Sequence, residues 1–355
     1  MAGFTKIVVW LVAGGLGAIL AASAGAVQTS SDPLIHADEL IQAHQLQKAE
    51  EVLADLVERE PGNLGARIKL GQVQTALGLN EDAMKSFEAV LAVDPRSTAA
   101  RDGEVDAAEK AALADQSAGI EGSALLRLIQ ARKFVPDSPR LLLDFGVQAE
   151  KMRIYADADA ALKKAHDLAP EDAKIIYALA HVEFDEQNMQ AAEAHLREYL
   201  KMRPDDATAH YGLGRLLHMV TRNDEAKAEL GRSIELQPRQ ISSYYELGEI
   251  ALDEKLDGEA KADYEKVLSF SPHHGGALTG MGIIAFRKKD YATAQQYLQS
   301  AVQYASDYPK AHYYYALVLT RLGRADEAKR ESDLATALGQ QQNKEIHGNS
   351  LTVIQ

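Results

Sequence analysis

Apolar residues in this chain fall repeatedly on one side of a helix. In AKADYEKVL, Ala260, Tyr264, Val267 and Leu268 occupy positions i, i+4, i+7 and i+8, the spacing of a single helical face. ALLRLIQA (124–131) and AAEAHLREYL (191–200) follow the same rule. No segment shows the period-two alternation of a half-buried strand, so the pattern predicts an all-α chain. The helical runs are themselves periodic. Pro61 and Pro95 stand 34 residues apart, and Pro136, Pro170, Pro204, Pro238 and Pro272 follow one another at 34. The step from Pro95 to Pro136 is 41, an insertion of seven. Proline lacks an N–H and is tolerated only at a helix start, so each one ends a helix or opens the next turn. The unit is helix, tight turn, helix, turn. A fixed period of this length is the signature of a solenoid that grows lengthwise instead of enclosing one core.

Within each unit the small and large residues recur at fixed places. Leu213-Gly214, Ala226, Leu230 and Pro238 are followed by Leu247-Gly248, Ala260, Tyr264 and Pro272. Leu70-Gly71, Ala83, Phe87 and Pro95 give the same series, as do Phe145-Gly146, Ala158, Leu162 and Pro170, and Leu179-Ala180, Ala192, Leu196 and Pro204. Met281-Gly282, Ala294 and Leu298 lack the proline. Tyr315-Ala316, Gly323, Ala328 and Ser332 form a degraded last unit, and Ala49 and Leu53 a worn first one. The order of bulky residue, Leu-Gly, alanine, large residue and proline resembles the tetratricopeptide repeat. The resemblance covers about residues 30 to 340 and implies a right-handed superhelical solenoid of about eight or nine helix-turn-helix units. The family's favoured tryptophan is missing, with His210, Tyr244, Leu142 or Leu278 in its place. The stretch 96–138 matches worst and reads either as a repeat with a lengthened first helix or as a hinge. The expected organisation is N-terminal units over 30–95, the irregular stretch 96–138, C-terminal units over 139–343 and a tail over 344–355.

The resemblance also implies that first helices line a concave groove that holds segments of other proteins. Two residues before the leucine of each first helix, a position the resemblance turns toward the groove, stand Tyr177, Tyr211, Tyr245 and Tyr313. Four and seven residues further on come His181, Arg215 and Glu249, then Phe184, His218, Leu252 and Phe286. Tyrosine gives contact area and a hydroxyl at low entropy cost, which suits peptide recognition. The Lys and Asn clamp with which some chaperone-binding members hold a terminal carboxylate has no counterpart at these positions.

Residues 1–32 differ from the rest. Lys6 is the only charge before Asp32; IVVWLVAGGLGAIL (7–20) is apolar, and Ala22-Ser23-Ala24 and Ala24-Gly25-Ala26 offer small-residue exits. This reads as a signal peptide over 1–26. The alternative is an uncleaved membrane anchor, since 7–27 is long enough to span a bilayer. Either reading puts the body outside the cytoplasm, in the periplasm or extracellular space, tethered to the inner membrane if the segment is retained. The 38 Lys and Arg against 52 Asp and Glu give a net charge of −14, which argues against nucleic acid as a partner. There is no cysteine, which excludes disulfides, thiolate metal sites and bacterial lipid attachment.

No catalytic motif, cofactor fingerprint or metal-ligand spacing stands out. The adjacent His273-His274 follows Pro272 and reads as a solvated turn, and Asp205-Asp206 as a helix start. The expectation is a non-catalytic scaffold or adaptor of the cell envelope that binds protein or peptide segments, with no cofactor and no metal. The alternative is a membrane-anchored structural subunit of a secretion, polysaccharide-export or surface-assembly complex.

Overall fold

The computed structural model describes residues 32–348, with side chains to 342. They form nine helix pairs. The first two are α1 (Pro33–Gln42) with α2 (Leu46–Arg59), and α3 (Leu64–Leu77) with α4 (Asn80–Leu91). Then come α5 (Thr98–Ser117) with α6 (Glu121–Phe134), α7 (Pro139–Lys151) with α8 (Tyr155–Leu168), and α9 (Ala173–Asp185) with α10 (Met189–Met202). The series continues with α11 (Ala207–Met219) and α12 (Asn223–Leu236), α13 (Ile241–Asp253) and α14 (Asp257–Phe270), and α15 (Gly275–Arg287) and α16 (Tyr291–Tyr304). It ends with α17 (Pro309–Arg321) and α18 (Ala325–Gly348). No strand occurs among the described residues. The N-terminal segment read as a signal peptide or anchor lies outside them; within them no helix is long and apolar enough to cross a membrane.

Local chemistry sets where each helix begins and ends. Two residues after each repeat proline comes the cap of the next first helix. Asp172 accepts from the Lys174 amide, Asp206 from those of Thr208 and Ala209, Asn63 from that of Ala66, and Ser138 from that of Leu141 with Pro139 inside the first turn. His274 does the same through Nδ1 on the Ala277 amide at 3.1 Å, so it is a half-buried cap and not a solvated turn residue. Burial lowers its pKa. The turn inside each pair passes through one left-handed residue. Glycine fills that place at Gly78, Gly119 and Gly323, but His44, Arg153, Gln187, Thr221, Lys255 and Lys289 hold it with φ of 56–62°.

The periodic small residues are where the helices meet. Ala49, Ala83, Ala124, Ala158, Ala192, Ala226, Ala260 and Ala294 are fully buried on second helices, and Ala328 nearly so. The large residue one turn later fills the space between successive first helices. Tyr264, with no exposed surface, is held between Gly248 and Gly280, where an added methyl would lie 2.6 Å and 2.3 Å from its ring. Phe87 sits in the same way between Gly71 and Gly103.

Residues 96–138 supply α5 and α6, packed into one apolar cluster that runs from Ala83 to Val182. α5 has 20 residues where α7 has 13, and the difference of seven is close to two full turns. Its buried face therefore continues in phase. The N-terminal part of α5 meets the preceding unit at Phe87, while Gln116, near its end, donates to Gln148 of α7 at 2.7 Å. The units before and after it are thus offset along the helix axes by about 10 Å, at 1.5 Å per residue.

Successive odd-numbered helices touch from α3 to α9 and from α11 to α17, whereas among even-numbered helices this closeness is found at α4 and α6. The odd helices therefore line the concave side. α1 and α3, and α9 and α11, are the exceptions and scarcely touch.

Candidate functional site

The gap between α9 and α11 is a cavity of about 140 Å³. It is lined by Tyr177, His181, Phe184, Tyr211 and Arg215, with Ala180, Leu196, Thr208 and Gly212. Five residues picked out by register thus converge on one place. Arg215 lies over the Phe184 ring at 5.2 Å and reaches toward Glu246 at 3.9 Å. Tyr177 packs against His181 and Tyr199, with centroids at 5.1 Å and 4.7 Å. Burial raises the pKa of both Tyr177 and Tyr211, so their hydroxyls stay neutral. His181 is held by Glu150, which raises its pKa through a side-chain hydrogen bond.

The other candidates go elsewhere. Tyr245 folds down over Gly276, where a methyl would stand 2.7 Å from its ring, and packs at a tilt against His274 with centroids 4.9 Å apart. Glu249 accepts from the Tyr264 hydroxyl at 2.6 Å and from Lys310 at 2.7 Å, so its charge is already matched. His218 pairs with Glu246 at 3.1 Å, which raises its pKa. Leu252 is buried in the core and offers nothing to a groove. Phe286 packs with Tyr291 and Tyr314. Tyr313 is 52% exposed on α17, far along the stack.

A second feature adjoins the cavity and was missed by register. A cleft of about 850 Å³ opens between α5, α7 and α9 and shares Tyr177 and His181 with it. Its walls carry Leu113, 61% exposed, and Val147, 46% exposed. Beside them stand Glu109, Asp144 and Glu150. Burial, and then the adjacent Glu109 carboxylate, pushes Asp144 up to about 6. Asp185 is raised too, by burial and by Glu150. Arg140 donates to Glu109 at 2.8 Å and 2.5 Å, and Lys174 and Arg203 also line the cleft, so its walls carry both signs of charge. A buried carboxyl crowded by a second one marks a place where an added positive charge is stabilised. A sequence signal existed: Leu113 and Val147 are apolar residues on the polar side of their helices.

Comparison with known proteins agrees with this architecture. The sequence model of the family described as tetratricopeptide repeat matches residues 40–111, 183–248 and 285–348, and a second model of the same description matches 241–274. No curated protein matches the sequence significantly. Among solved structures, the fold is similar to that of PilF from Pseudomonas aeruginosa, at 18% identity and a TM-score of 0.53, over 61% of this chain and 98% of that one. It is also similar to the APC/C hetero-tetramer Cut9–Hcn1, at 15% identity and a TM-score of 0.54, over 86% of this chain and 60% of that one. MamA aligns at 24% identity with a TM-score of 0.43, over 45% of this chain and 94% of that one.

Proposed function

The chain belongs to the tetratricopeptide repeat family, a protein-interaction fold, and from that premise we propose that it is a non-catalytic scaffold holding an extended segment of a partner protein on its concave face. The segment lies in the cleft between α5, α7 and α9 and places a side chain in the α9–α11 cavity. Its side chains are apolar and basic. The observation that carries this reading is the meeting of exposed Leu113 and Val147 with the Glu109, Asp144 and Glu150 carboxylates beside Tyr177. Apolar area supplies affinity, and a cation placed beside Asp144 relieves its crowding by Glu109, which favours cations over anions there.

Two synthetic extended peptides test it, one alternating Leu, Tyr and Lys, the other with Glu for Lys, followed by fluorescence anisotropy. The basic peptide binds at least about tenfold tighter, a difference of 1.4 kcal/mol. Asp144→Asn shrinks the preference, and Tyr177→Ala weakens both peptides. Asp144 gains its proton as pH falls through about 6, so the preference for the basic peptide declines there. Equal capture of both peptides, or of neither, sinks the reading.

For cellular placement, the apolar run at 7–20 and the small residues after it support export, with the scaffold acting in the cell envelope. The second reading, a membrane-anchored subunit of a secretion, polysaccharide-export or surface-assembly complex, is favoured by the length of the 7–27 segment. The N-terminal residue of the purified protein separates them. A start at Gly25 or Val27 means release, and a start near Met1 means anchoring.

A further inference from the structure

On the convex side, α8 and α10 are neighbours that scarcely touch. Between them, one donor atom each of His166, His195 and Glu198 comes within 4.8 Å of the others. The two imidazole rings stand nearly perpendicular, with centroids 5.6 Å apart. Glu198 lies one turn beyond His195 on the same face of α10, a spacing that presents both groups to one point.

Three details separate this cluster from a chance gathering. Nδ1 of His195 is 2.6 Å from the carboxylate of Glu183, whose side chain is only 2% exposed. That bond places the proton on Nδ1 and leaves the Nε2 lone pair free, the arrangement in which a carboxylate orients a ligating histidine. Nδ1 of His166 is buried with no hydrogen-bond partner in the protein, a state rarely tolerated unless something else completes it. The Glu198 carboxylate makes no hydrogen bond or ion pair among the described residues, while Lys163, the neighbouring cation, is held to Asp159 at 2.8 Å.

We propose that His166, His195 and Glu198 form a site for one divalent transition-metal cation of the zinc, nickel or copper class, which clamps α8 to α10. Two imidazoles with one carboxylate suit these ions and not calcium or magnesium, whose sites are built of oxygen. Three protein ligands leave a further position for water. The ion joins two consecutive repeats on their outer side, behind the helix that carries Tyr177 and His181. The sequence alone gives no such signal, because the two histidines are 29 positions apart and meet only when second helices stack. The site is independent of the groove reading.

The test uses the full-length chain without a histidine tag, stripped by chelator and titrated with Zn(II) against a chromophoric competitor. Co(II) absorption reports coordination geometry. One equivalent of Zn(II) binds and raises the melting temperature. Glu198→Gln and His166→Gln remove the tight equivalent and its thermal shift. Glu183→Gln weakens it about 10- to 100-fold, as loss of a ligand-orienting carboxylate does. His273→Ala, in the distant turn, leaves it unchanged. Glu198 makes no hydrogen bond or ion pair among the described residues and acts on His195 only through its charge, so its variant stays folded without metal and the test stands even if His166→Gln unfolds. Wild-type protein that binds no Zn(II) equivalent, a folded Glu198→Gln that binds as wild type does, or binding abolished by His273→Ala overturns the proposal.

Discussion

Glu104 is the least comfortable residue in the stack. It lies on α5 with no exposed surface, and both of its carboxylate oxygens are buried without a hydrogen-bond partner. Burial, and then the charge of Glu88, pushes its pKa up to about 8 from an ordinary 4.5. At pH 7 the folded chain therefore holds it as a neutral acid, whereas the unfolded chain holds it ionised. Taking up that proton at 2.5 pH units above the unfolded pKa costs about 3 kcal/mol, at 1.36 kcal/mol per unit. The folded state binds the extra proton, so its stability falls as pH rises from 4.5 to 8. The full loss is about 5 kcal/mol, at about 1.4 kcal/mol per pH unit. Glu104→Gln keeps the shape and removes the titration. The amide and the neutral acid both lack a partner, so that cost largely cancels between them. The variant should match wild type near pH 4.5, exceed it by about 3 kcal/mol at pH 7 and by about 5 kcal/mol near pH 9. Urea unfolding followed by circular dichroism at several pH values measures this. The comparison uses midpoint differences, because stacked repeats need not unfold in a single step. Asp144 and Asp263, each raised to about 6, push in the same direction but are common to both proteins. Parallel wild-type and variant curves across this range would show Glu104 ionised inside the fold and refute the reasoning.

The same substitution at two glycines should have opposite signs. Gly280→Ala drives a methyl to 2.3 Å from the immobile ring of Tyr264 and should lower stability by about 1–3 kcal/mol, while Gly231→Ala meets nothing within 4 Å and should gain up to about 1 kcal/mol of helix propensity. Thermal melts of the two variants must move apart; equal shifts would mean the Tyr264 wedge yields. Thr221 is β-branched and held at a φ of 61°, so Thr221→Gly should stabilise by about 1 kcal/mol, and a lower midpoint in denaturant would show that the threonine side chain makes a contact worth more than its strain.

The fold was legible because every unit meets only its neighbours, so each close approach recurs in the sequence at one spacing. Ala226 and Ala260 are alanine for the same reason, and Tyr264 and Leu230 fill equivalent spaces. What depends on a single unit was not legible. Register treats Tyr245 like Tyr177 and Tyr211, yet Gly276 gives its ring a place to lie down and it leaves the cavity. Glu104 looks like a solvent-facing charge until the next helices close over it. His274 looks like a turn residue, and only the bare amide of Ala277 makes it a cap. The cleft carboxyls and the convex histidines belong to different repeats, and no period links them.

The two extra turns of α5 also set a length. Their exposed end, with Leu113, forms one wall of the cleft, and on the reading proposed above a segment that begins there can run along the concave side as far as α17. Six first helices from α7 to α17 are separated by five intervals that average about 10 Å, the α9–α11 one being the widest. That is about 50 Å, or about 15 residues of extended chain at 3.3 Å per residue. On that reading, a bound strand longer than this leaves the surface at the far end, and a shorter one leaves the last repeats bare.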